Sequence, residues 1–141
     1  MAPESMVHAL EQVHNLLKPG GYLIDIHPNG EMVEFYASID GGEQFIGYMH
    51  ESDNYIEYRQ ADEAIQAVLE QGLFQLESTG EFDFRDYADS FDELKTFLDE
   101  NWSDAVITED VLVRAREMES EHGLYPSILR EQVKVGVLKR L

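Results

Sequence analysis

Asp25, His27, Pro28 and Asn29 are the residues best placed in this sequence to meet a ligand. They belong to or follow Tyr22-Leu23-Ile24-Asp25-Ile26-His27, an apolar run too short for a helix. In open α/β sheets ligands sit outside the carboxyl ends of the strands. A strand ending here would present His27, Pro28 and Asn29 to a pocket. The imidazole of His27 could serve as a general base or as a donor to a substrate, or it could be a histidine hydrogen-bonded at a strand end. Asp25, inside the run, is either a ligand-facing carboxylate or one satisfied by nearby backbone N–H groups.

A second group is aromatic. Tyr55, Tyr58 and Arg59, with Tyr36 and Tyr48 upstream, could line the mouth of a substrate site, although aromatics at such spacings also serve as core and rim packing. A metal centre is not expected. The chain has no cysteine, and no histidine pair shows helical His-x-x-x-His or His-Glu-x-x-His spacing. His8 and His14 are on different faces of any helix that holds both. Phosphate-cradling, Gly-x-Ser-x-Gly and zinc-finger patterns are missing too.

The elements that must position these groups can be read from periodicity. Met6, Leu10, Val13 and Leu17 predict a first helix, and Pro19-Gly20-Gly21 stops it. The nearly continuous apolar run from Tyr22 to His27 predicts a strand buried on both faces, as in a parallel sheet. Stretches 32–38 and 44–50 flank Asp40-Gly41-Gly42 and predict a hairpin. A helix is expected over 55–71, with Tyr58, Ala61, Ile65, Val68 and Leu69 on one face. A strand with a bend or bulge at Gly80 follows over 73–86. Ser90 to Glu93 forms a capping box that should start a helix carrying Phe91, Leu94, Phe97 and Leu98 inward. A further helix is expected over 108–120, and a last strand over 132–138. The pattern is that of one compact α/β domain over 1–141.

The passage from Glu4 to Pro28 is similar to part of the class I S-adenosylmethionine-dependent methyltransferases, which have a Rossmann-like fold. Its signature is a helix ending in Leu17-Lys18-Pro19-Gly20-Gly21 that drops straight into an apolar strand. In that family such a run precedes the fifth strand of the sheet. The resemblance implies a small mixed sheet, with one parallel-type strand and two C-terminal strands, packed with about four helices. It also implies a last strand lying antiparallel between the family's fifth and sixth, and makes the 32–50 hairpin an insertion. The family grips its cofactor with a glycine-rich turn and an acidic ribose-binding residue. Here the ten glycines never fall as Gly-x-Gly. The resemblance therefore covers the substrate-side, C-terminal half only. S-adenosylmethionine is implied for a full-length protein, and this chain by itself is expected to bind no cofactor and to be inactive.

Charge narrows the partners. A formal net charge of −19, with acidic residues crowding the stretch from Glu51 to Glu121, disfavours nucleic acid and anionic membranes, both of which are bound through Lys and Arg. No apolar run is long enough to span a bilayer, and nothing at the start reads as a secretion signal, so a cytoplasmic protein is expected. If the 22–27 strand lacks its family neighbour, it leaves an exposed apolar edge. A homodimer that hides this edge, or a separate chain supplying the missing N-terminal half, is the partner expected. A non-catalytic dimerisation or interaction module is the alternative to an enzyme fragment.

Overall fold

The computed structural model describes residues 3–53 and 55–141. Its elements in order are α1 (Pro3–Leu16), β1 (Tyr22–Pro28), β2 (Val33–Ile39), β3 (Gly42–Glu51), α2 (Ile56–Glu70), β4 (Phe74–Ala88), α3 (Phe91–Asn101), β5 (Ala105–Ile107), α4 (Glu109–His122) and β6 (Ser127–Arg140). The fold is mixed α/β, a six-stranded antiparallel sheet with four helices. Contacts divide the chain into two compact units. One takes the chain up to Gly30, Tyr55–Phe82 and Val133–Leu141, and the other takes Glu31–Asn54 and Asp83–Gln132.

In the first unit the reversal after α1 explains the Pro-Gly-Gly run. The Gly21 N–H donates to the Lys18 carbonyl at 2.8 Å, and Gly20 has φ +80°. Proline at the second position and a positive-φ glycine at the third make this a type II turn. A Cβ on Gly21 would come within 2.9 Å of the Lys18 carbonyl oxygen, so both glycines are needed. The turn is tied to the end of β6: Gly20 N–H donates to the Arg140 carbonyl (3.1 Å) and Arg140 N–H to the Gly21 carbonyl (2.8 Å). The Arg140 guanidinium also caps the Leu17 carbonyl.

From this turn β1 runs antiparallel to β6, with Tyr22 opposite Lys139 and Pro28 opposite Val133. β6 pairs with β4 as well. Leu23 joins Val7, Leu10 and Leu17, and Ile65, Val68 and Leu69 of α2, in a core that also holds Phe74 and Leu138.

This arrangement corrects the expectation of a parallel-type strand buried on both faces. The one β1 neighbour among the described residues is the antiparallel β6. Tyr22, Ile24 and Ile26, on the face away from Leu23, are 57, 60 and 59% exposed. An apolar run has the same composition whether its second face is covered or bare.

The second unit contains the hairpin. Asp40 (φ 53°) and Gly41 (φ 77°) form a two-residue reversal with both backbone angles positive, and Ile39 pairs with Gly42. β2 also pairs with residues 127–130 of β6, and β3 with β5. The inward face of the hairpin (Val33, Phe35, Ala37, Ile39, Ile46 and Met49) packs with Phe91, Leu94 and Leu98 of α3 and with Val111 and Ala115 of α4. The hairpin, expected as an insertion, thus supplies much of a core in its own unit.

The capping box at α3 holds in part. Ser90 Oγ accepts the Glu93 N–H at 3.2 Å, whereas the Glu93 carboxylate accepts from Asp89 N–H rather than from Ser90. Phe97 is 38% exposed and not an inward residue. β5 and the first residues of β6 have no counterpart in the sequence reading.

Candidate functional site

The site is a cavity of about 560 Å³ in the first unit, and every side chain lining it belongs to that unit. Period-two geometry on β1 turns Leu23, Asp25 and His27 to one face. The register sets Asp25 opposite Gly136 and His27 opposite Lys134. Asp25, His27, Lys134 and Gly136 all line the cavity. Asp62, Ile65, Gln66 and Leu69 project from α2 at helical spacing, and Leu76 and residues 79–81 of β4 complete the wall.

His27 is held at both ring nitrogens. Nδ1 lies 3.1 Å from Asp25 Oδ1 and 3.0 Å from Oδ2, and Nε2 lies 2.8 Å from Asp62 Oδ1. Lys134 Nζ donates to the same Asp62 oxygen at 3.1 Å. An ionised carboxylate can only accept, so an imidazole that bridges two of them is held best as the imidazolium, which donates from both nitrogens. The hydrogen bond to Asp25 raises its pKa most, against an opposing effect of burial, and Asp62 adds to the rise.

An imidazolium so placed has no lone pair with which to take a proton from a substrate. In its protonated form His27 offsets Asp25 and ties β1 to α2. Asp25 is satisfied by the His27 ring and also lines the cavity.

A histidine whose folded pKa lies above its unfolded value of about 6.5 contributes stability that is fully present below that pH and lost as pH rises through the folded pKa. His27→Gln should therefore cost about 1 kcal/mol at pH 6, a figure kept low because Asp62 is partly solvated, and less at pH 9. Urea melts of both proteins at the two pH values check this. An equal loss at both would mean that His27 acts through packing alone.

The structure brings Asp25 and His27 together and leaves the other expected residues outside the cavity wall. Pro28 ends β1 and Asn29 follows it. Tyr55, with φ 60°, caps α2 and stacks on Tyr58 at 6.1 Å between ring centroids, and Arg59 sits in the first turn. In the second unit Tyr36, Phe45 and Tyr48 form an edge-to-face row at 5.6 and 5.1 Å. The tyrosines are engaged in ring packing in both places.

Asp62, Glu81, Lys134 and Gly136 escaped the sequence reading. Asp62 was within reach of it, because it precedes Ile65 and Leu69 at helical spacing on the inward face. Lys134 and Gly136 carry no local sign of what they oppose.

Among the described residues no group of three or more His, Asp or Glu side chains is placed to hold a metal ion, and no helix is long and apolar enough to cross a membrane. No known family model matches the chain, and no curated protein matches it.

Proposed function

We propose that this chain is the substrate-side half of a Rossmann-like, class I methyltransferase fold and transfers no methyl group by itself. The observation that carries this reading is the path of the chain in the first unit. A helix, a type II turn at Lys18-Pro19-Gly20-Gly21 and β1 follow one another, and β6 pairs with both β1 and β4. The family's last strand pairs with its fifth and sixth in the same way. In such a fold Asp25 and His27 face the substrate side.

Methyl transfer depends chiefly on holding donor and acceptor in line, and the glycine turn that holds the donor is missing from these residues. Calorimetry with S-adenosylmethionine should show no saturable heat at micromolar concentrations. A saturable signal would mean that the chain carries a cofactor grip of another kind. The protein isolated from its own cells should be heavier than these 141 residues, or should copurify with a chain bearing a Gly-x-Gly turn. A lone chain of matching mass would sink the half-enzyme reading.

The bare apolar face and open edge of β1 favour a second reading, a dimerisation module. Among the described residues the second edge of β1, seven residues long, pairs with no strand and is a template for another, and two-fold pairing is the simplest way to cover it. Light scattering across a tenfold dilution should then report twice the chain mass, and Ile24→Lys should halve it. A monomer throughout would rule this reading out.

A further inference from the structure

The cavity beneath α2 carries a charge pattern that selects a ligand. Three carboxylates line it (Asp25, Asp62 and Glu81) together with two cations, His27 and Lys134. Asp25 is neutralised by His27, and Asp62 takes both His27 and Lys134. Glu81 has no hydrogen-bond or ion-pair partner among the described residues. The wall thus has one net negative charge, sited on β4.

The floor is apolar. Leu69 and Leu138 line it, Leu76 is left 44% exposed, and Gly136 contributes no side chain. A Cβ at Gly136 would meet only the ends of Leu138 and Leu76, at 3.6 and 3.9 Å. Both are ordinary van der Waals contacts, so a methyl group fits there and a larger side chain would extend into the cavity. A volume of about 560 Å³ lies in the range of small-molecule sites, which combine an apolar lining with a few fixed polar groups.

We propose that this cavity binds a small amphipathic amine, its apolar body against Leu69, Leu76 and Leu138 and its ammonium group at Glu81. The assignment rests on the wall of the first unit and stands whether or not the chain descends from a methyltransferase. Asp25, His27, Asp62 and Lys134 form a closed, self-neutralised network, so the ligand's charge is answered by Glu81 alone. An anionic ligand would meet that carboxylate with no spare cation beyond Lys134, which Asp62 already holds.

The test uses n-hexylamine, n-hexanol and hexanoate as probes, titrated at neutral pH and about 0.15 M salt into the isotope-labelled protein and followed by amide chemical shifts. Hexylamine should saturate at about 1 mM, as expected for so few heavy atoms, and should move the amides of Gly80, Glu81 and Gly136. Hexanol should bind more weakly and hexanoate weakest. Glu81→Gln, an exposed position that leaves the core alone, should weaken the amine at least about fivefold and leave hexanol unchanged. Gly136→Leu should abolish binding of amine and alcohol, and Gly136→Ala should weaken both if the larger side chain disturbs the amide spectrum. The proposal falls if hexanoate binds as well as hexylamine, if no probe saturates, if the shifts lie away from the cavity, or if Glu81→Gln leaves the amine unaffected.

Discussion

Gly47→Ala should cost about 2 kcal/mol of stability, seen as a lowered urea midpoint with little change in slope. Gly47 lies on β3 beneath α4, and a Cβ there would sit 2.6 Å from Val111 Cγ2 and 3.5 Å from Cγ1. Val111 is buried in the second unit's core beside Ile46, Met49 and Ala115, so it has no free direction in which to retreat. Either α4 lifts from the sheet or Val111 leaves its rotamer, and both lose contacts in a close-packed interior. Val111→Ala alone leaves a small void and should cost about 1 kcal/mol or more. Combined with Gly47→Ala it removes the clashing atoms, so the double variant should be more stable than the sum of the two losses predicts. Additive losses would show that the two residues do not meet.

Glu131→Gln should act in the opposite direction and stabilise the protein at pH 8. Burial, with the charges of Asp86 and Glu51 acting the same way, pushes the Glu131 carboxyl up to about 7 from an ordinary 4.5. Asp86 is itself raised by burial. The sign follows from proton counting. Between about pH 4.5 and 7 the folded chain holds a proton that the unfolded chain has released, so stability falls as pH rises through this window and levels off above it.

Glutamine keeps the shape and removes the charge. At pH 8 it should add about 1–2 kcal/mol, less than the whole shift would give because the carboxylate is partly solvated. Near pH 4.5 it should change little. Urea melts at both pH values decide the matter. A loss at pH 8 would mean that the ionised carboxylate is held by partners strong enough to outweigh its burial.

What could be read from the sequence follows how local each signal is. The type II turn needs only Pro19, Gly20 and Gly21, and the hairpin needs only Asp40 and Gly41 between alternating strands; both appear where the residues put them. The helices were legible from their apolar faces and from the Ser90 and Gly123 ends. β5 was not, because three residues carry no period.

Whether the second face of β1 is covered depends on what packs there, and nothing in Tyr22, Ile24 and Ile26 encodes that. The candidate site divides along the same line. Asp25 and His27 announced themselves as polar residues in an apolar strand. Lys134 and Gly136 acquire their meaning only from the register with β1, a pairing between opposite ends of the sequence.

That pairing also sets the order of events during synthesis. β1 leaves the ribosome roughly a hundred residues ahead of its antiparallel partner, residues 133–139. At ~5–20 residues per second the nascent strand waits roughly 5–20 s with its backbone unpaired. Its apolar residues stay open for the same interval. The first unit can close only after translation has passed β6, whereas the 33–51 hairpin can form as it emerges. Slow elongation or crowded polysomes should therefore penalise yield through β1. A chaperone that holds short apolar strands would be expected to meet this protein there first.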